Sequence, residues 1–131
     1  MRDRSETIVY CLTRDRELAV ALEERLTDAL AFFYNDAALL GQAVVLRLPE
    51  LVVVDTGAIR EEYGDAGLGP VVASLRERAP GARLTVRPAS GVEHLVAAEA
   101  GPEVVMLAAD RATCVDGVAA VCSALSSQPP P

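Results

Sequence analysis

Residues 51–55, Leu51-Val52-Val53-Val54-Asp55, limit the fold more than any other stretch of the chain. Four branched apolar residues run without polar alternation, with Pro49 just before and Gly57 just after. A strand with one wet face alternates; an unbroken apolar run suits a strand covered on both faces, as at the centre of a parallel sheet. Such a strand delivers the residue that follows to the carboxyl edge, where open α/β sheets place their sites. Here that residue is a carboxylate, Asp55.

The surrounding pattern is consistent with that placement. Strand-like runs occur at Thr7–Leu12, Leu30–Tyr34, Leu51–Val54, Arg83–Arg87 and Val104–Leu107. Between them lie stretches of helical spacing: Leu18, Leu22 and Leu26; Leu39, Leu40, Ala43, Val44 and Leu46; and Leu68, Val71, Val72 and Leu75. Val92, Leu95 and Val96 follow in a fourth stretch, and Val118, Val121, Cys122 and Leu125 in a fifth. Thr13 or Asp15 is a plausible cap for the first helix. Ala58–Gly69, with Arg60, Glu61, Glu62, Tyr63 and Asp65, reads as an acidic, glycine-containing loop. Five strands alternating with five helices call for a doubly wound parallel sheet with right-handed crossovers. The expected division is one domain over residues 1–125, without internal repeats, and a Pro-rich tail or linker over 126–131.

Composition closes off several function classes. The 131 residues suffice for one core, and 51% hydrophobic content argues against disorder. No apolar run approaches the ~20 residues of a membrane helix. The charged start Met1-Arg2-Asp3-Arg4-Ser5-Glu6 is unlike a signal peptide. A net charge of −7 without a basic cluster disfavours nucleic-acid binding by this domain. Three cysteines without metal spacing read as reduced thiols of a cytoplasmic protein, with Cys11 and Cys122 in the core and Cys114 exposed. His94, the one histidine, reads as a surface residue, and no Gly-rich phosphate loop follows the first strand. All twelve basic residues are arginine, so no mechanism can use a lysine amine.

The (βα)5 order, with Leu48-Pro49-Glu50 leading into a third strand that ends in Asp55, resembles the receiver domain of bacterial response regulators. Leu95-Val96-Ala97-Ala98-Glu99-Ala100-Gly101 followed by Val104–Leu107 resembles the receiver's helix four, Ala-Gly turn and strand five. The resemblance spans residues 7–125 and implies a flavodoxin-like, five-stranded parallel α/β fold. It also implies phosphoryl transfer to the carboxylate at the position of Asp55. That chemistry needs a nucleophilic carboxylate, a Mg²⁺ ion held by further acids, a lysine on the phosphoryl group and a Ser/Thr hydroxyl that reads it.

Asp55 matches the acceptor position. Where the family has a run like Asp-Asp-Asp-Pro-Glu-Leu, this chain has Thr13-Arg14-Asp15-Arg16-Glu17-Leu18, so Thr13 and Arg14 stand in place of the metal acids and only Asp15 survives. The hydroxyl position falls near Pro88, with Ser90 as a weak substitute, and the lysine position falls near Ala108. Mg²⁺ would be held poorly, and no cofactor is expected. Two placements are open for Arg14: paired bidentately with Asp55 where the metal would be, or turned to solvent while Asp55 bonds nearby backbone.

The leading expectation is a degenerate receiver, not an enzyme, that signals independently of phosphorylation through protein contacts. The resemblance implies a partner or homodimer face on helix four, strand five and helix five, including Val92, Leu95, Val104, Val118, Arg111 and Asp116; the alternative for the apolar members is ordinary core. Two other readings are an active phosphoacceptor receiver of a two-component phosphorelay, using Asp55 and Mg²⁺, and a small-molecule-binding module of open-sheet fold. The latter requires a deep apolar pocket at the carboxyl edge.

Overall fold

A computed structural model describes residues 7–64 and 66–126. The strands are β1 (Thr7–Leu12), β2 (Ala29–Tyr34), β3 (Leu51–Asp55), β4 (Arg83–Arg87) and β5 (Val105–Met106). The helices are α1 (Arg16–Arg25), α2 (Ala37–Leu46), α3 (Thr56–Tyr63), α4 (Leu68–Arg78), α5 (Glu93–Ala100) and α6 (Arg111–Ser126). All pairings are parallel, in the order β2-β1-β3-β4-β5. The expected flavodoxin-like α/β fold is present, and the strand order reverses between β1 and β3, which opens a crevice at their carboxyl ends.

Period-two alternation divides the central strands between two cores. Ile8, Tyr10, Leu12, Val52 and Val54 face a cluster completed by α2, α3, α4 and α5. Val9, Cys11, Leu51 and Val53 face the opposite cluster, built with α1 and α6. All five residues of β3 are buried, which accounts for its unbroken apolar run. The hydroxyl of Tyr10 escapes the core by donating 2.8 Å to the carbonyl of Arg47 at the end of α2.

Two expectations are corrected. The Ala58–Gly69 segment is not a continuous loop: α3 starts directly after Asp55 and ends at Gly64, whose φ of 81° favours glycine. Asp65 lies outside the described residues, as do residues 1–6 and 127–131, which include most of the expected tail. Ser126 ends α6. Cys114 is fully buried rather than exposed, because α6 begins at Arg111 and carries it into the core with Cys11 and Cys122. Among the described residues no helix is long and apolar enough to cross a membrane.

Candidate functional site

The site forms where β1, β3 and β4 end. Leu51, Val53 and Asp55 share one side of β3, as Arg83, Thr85 and Arg87 share one side of β4. The register pairs Asp55 with Arg87, so the last residues of the two strands are a carboxylate and a guanidinium on the same face.

Asp55 is 8% exposed, and both carboxylate oxygens are engaged. Oδ2 accepts the Thr13 hydroxyl at 2.7 Å and lies 3.3 Å from Nη1 of Arg87. Oδ1 accepts the Gly57 N–H at 3.3 Å, which makes Asp55 the N-cap of α3. Thr13 is held in turn: its N–H donates to the carbonyl of Tyr34, and its Oγ1 accepts the N–H of Asp15 at 3.0 Å.

Arg87 ties the crevice together. Nη1 donates to Asp15 Oδ2 at 3.0 Å as well as facing Asp55, and Nε donates to the carbonyl of Ala109 at 2.9 Å. Its own carbonyl accepts the Thr56 hydroxyl at 2.9 Å. One side chain thus links the turns after β1, β3 and β5. Asp15 meanwhile caps α1 through Leu18 and receives Arg111, which also pairs with Glu17 at 2.8 Å.

The charges respond to this geometry. Burial works against the ionised form of Asp15, but the hydrogen bonds from Arg87 and Leu18, with Arg111 nearby, outweigh it and hold its carboxyl below the ordinary range. Burial likewise opposes the charge on Arg87, and its bond to Asp15 and the field of Asp55 more than restore it.

Of the residues singled out from the sequence, Thr13, Asp15 and Asp55 come together. Arg14 does not join them. Its Nε donates to the carbonyl of Asn35, and its guanidinium pairs with Glu61 at 3.0 Å and Glu62 at 3.7 Å on α3. The placement against Asp55 is therefore overturned for Arg14: α3 supplies two carboxylates on its other side and draws it away. Nor does it turn freely to solvent. Pro88 is buried immediately after Arg87, Ser90 is exposed beyond it, and Ala108 precedes the carbonyl that Arg87 uses. Arg87 was missed because the register of β3 against β4 is not written in either strand. Alternation within each strand was the one available signal, since it puts Asp55 and Arg87 at matching ends.

The Mg²⁺ ion that an active receiver implies does not fit this set. Asp15 and Asp55 already share a guanidinium that stands between them, and Thr13 contributes a neutral hydroxyl. Among the described residues no group of three or more His, Cys, Asp or Glu is placed to hold a metal.

Elsewhere, an open groove of about 480 Å³ runs along the flank between α2 and α4, lined by Ala37, Leu40, Tyr63, Pro70, Val71 and Arg78 among others. Neither Asp55 nor Arg87 reaches it. On the face that the resemblance implies for partners, Val104 and Val118 are buried and Val92 packs against the core, while Leu95 is 59% exposed. Arg111 and Asp116 are exposed and occupied by ion pairs with α1.

No family model matches the sequence, and no curated protein matches it. Solved structures do. NtrX from Brucella abortus superposes with a TM-score of 0.67 at 14% identity, over 93% of this chain and 27% of that one. The chain therefore spans about a quarter of the NtrX chain it matches. The signal receiver domain of an HD domain-containing protein from Pseudomonas fluorescens gives 0.70 at 14% identity, over 96% of this chain and 89% of that one. The signal receiver domain of NarL from Mycobacterium tuberculosis gives 0.66 at 16%, over 91% and 98%. At these identities the likeness is one of fold: the chain is folded as a response regulator receiver domain.

Proposed function

We propose that this is a signalling domain whose phosphorylation pocket has been closed by Arg87, and that it works through protein contacts without phosphorylation. The observation that carries the proposal is the single Nη1 shared by Asp15 and Asp55. In an active receiver, cationic charge at this place is supplied by a metal ion that comes and goes with phosphoryl chemistry. A guanidinium bound covalently to β4 cannot leave, so with Arg111 also on Asp15 the two carboxylates keep fixed counter-charges and the surrounding turns are held in one arrangement. The acceptor oxygens are also engaged by Thr13 and Gly57. An incoming phosphoryl donor would have to break those contacts without a metal to balance its charge.

In this reading the chain is not an enzyme, needs no cofactor and acts in the cytoplasm, with neither nucleic acid nor membrane as its partner. The direct test is incubation with a small acyl phosphate and Mg²⁺, followed by intact-mass measurement. The expected result is no adduct. A phosphoryl adduct that disappears in Asp55→Asn would establish an active receiver instead.

A further inference from the structure

Helix α2 is anomalous among the described helices. Its ten residues, Ala-Ala-Leu-Leu-Gly-Gln-Ala-Val-Val-Leu, contain no charge, while every other helix carries at least two charged side chains or termini of ion pairs. Leu40 and Val44 fill the core, but the opposite face is apolar as well. Ala38, Leu39, Gln42, Val45 and Leu46 all point outward, with Leu39 49%, Val45 67% and Leu46 86% exposed. Leu48, just past the helix, is 61% exposed. Phe32 is 39% exposed on β2, the edge strand, and on the same side of the sheet as α2, since its ring meets that of Tyr10. A helix that is apolar all round is ordinarily buried all round.

From this we infer that α2 pairs with α2 of a second copy of this chain, antiparallel across a two-fold axis at Gln42. The inference goes beyond the proposed function and does not depend on it.

Three features select a second copy. The first is symmetry. Gln42 lies at the centre of the outward stripe, with Ala38 and Leu39 one turn before it and Val45 and Leu46 one turn after. An antiparallel copy centred there sets Leu39 against Val45 and Ala38 against Leu46, and lets the two Gln42 amides bond each other. This is the self-complementarity that a two-fold interface requires.

The second is charge. The flanks of the stripe are Asp36 at the N-cap and Arg47 at the C-cap, and the same antiparallel pairing brings Asp36 of each copy towards Arg47 of the other. It also opposes the two helix dipoles. A chain of net charge −7 would otherwise repel its copy, and this is a face on which that repulsion has no like charges to act through. A membrane surface fits poorly, because the helix lacks the basic residues by which interfacial helices hold anionic lipid.

The third is area. Leu39, Val45, Leu46 and Leu48 together expose on the order of 400 Å², the size at which a patch on a soluble protein is commonly functional. Doubled across the axis and widened by Phe32, Gln42 and the charged flanks, complete burial of the patch would give at most about 1,000–1,200 Å², the low end for specific complexes. The dimer should accordingly be reversible and concentration-dependent.

The test is sedimentation equilibrium of the full chain from low to high micromolar concentration, combined with crosslinking by a short bismaleimide. The native cysteines are buried, so an added surface thiol reports its own position. The inference expects dimer to accumulate with concentration, Gln42→Cys to crosslink to itself, and Leu95→Cys on α5 not to. Gln42→Glu, which places two carboxylates together on the axis, should weaken association at least tenfold with an unchanged circular dichroism spectrum. A monomer throughout the range would overturn the inference, as would a dimer that crosslinks through Leu95→Cys but not Gln42→Cys. Either result leaves the phosphodonor experiment, and the reading it tests, unaffected.

Discussion

Nη1 of Arg87 lies 3.3 Å from Oδ2 of Asp55, across adjacent strands in which the two residues occupy paired positions. The contact is therefore built from the sheet itself, and the backbone register delivers both groups. Arg87 is 14% and Asp55 11% exposed at the side chain, so solvent screening is limited. A guanidinium in this position satisfies the carboxylate with a cation fixed to the sheet.

Removing that guanidinium should be costly. Arg87→Ala leaves Asp55 without a counter-charge, leaves Asp15 with Arg111 alone, and strips the carbonyl of Ala109 of its donor. Hydrogen bonds to charged groups contribute about 1.5–3 kcal/mol each in such settings, so a loss of about 2–3 kcal/mol is expected in denaturant unfolding. In the double variant with Asp55→Asn the loss should be smaller than the sum of the two single losses, because the orphaned charge is then absent.

Arg14→Ala should behave differently. Its partners Glu61 and Glu62 sit at the surface, with Glu61 63% exposed. Exposed ion pairs contribute about 0.2–1 kcal/mol and weaken with salt. Unfolding of Arg14→Ala should therefore lie within about 1 kcal/mol of the parent, and the difference should shrink at high ionic strength. The Arg87→Ala effect should largely survive added salt.

Asp15 makes stability depend on acid. Its folded pKa is lowered below the unfolded value, chiefly through Arg87 and Leu18 acting against burial. The associated stabilisation is complete above the unfolded carboxylate pKa and is lost as the pH falls through the folded value. Thermal unfolding followed from neutral pH into the acid range should show a falling midpoint. Asp15→Asn should flatten that fall while lowering the midpoint at neutral pH.

The three thiols should be silent in the native protein. Cys11 and Cys114 are fully buried and Cys122 nearly so, and burial raises the pKa of each, that of Cys114 to about 11. A thiol reagent at neutral pH should label none of them on the timescale in which it labels all three after unfolding. Rapid labelling of Cys114 in the folded chain would contradict its placement under α6.

Much of the fold was legible because it rests on local patterns. The apolar run of Leu51–Val54 identified a strand covered on both faces, and the spacing of Leu18, Leu22 and Leu26 identified a helix with one buried side. The helix over Thr56–Tyr63 was not legible: Gly57 reads as a breaker, and what starts the helix is a cap by Asp55, the very residue singled out for chemistry. Thr13, Arg14 and the absence of lysine were also visible in the sequence. The guanidinium that meets Asp55 was not. Arg14 stands in sequence at one of the positions where the resemblance puts a metal acid, whereas Arg87 meets Asp55 only in space, and that proximity depends on strand register, which no single stretch encodes.

The claim that Arg87 holds the place of the metal is tested most directly by calorimetric titration of the chain with Mg²⁺, alongside Arg87→Ala. The parent should show no saturable binding in the millimolar range, and Arg87→Ala should acquire weak binding that Asp55→Asn removes. Tight binding of Mg²⁺ by the parent, lost in Asp55→Asn, would contradict the account.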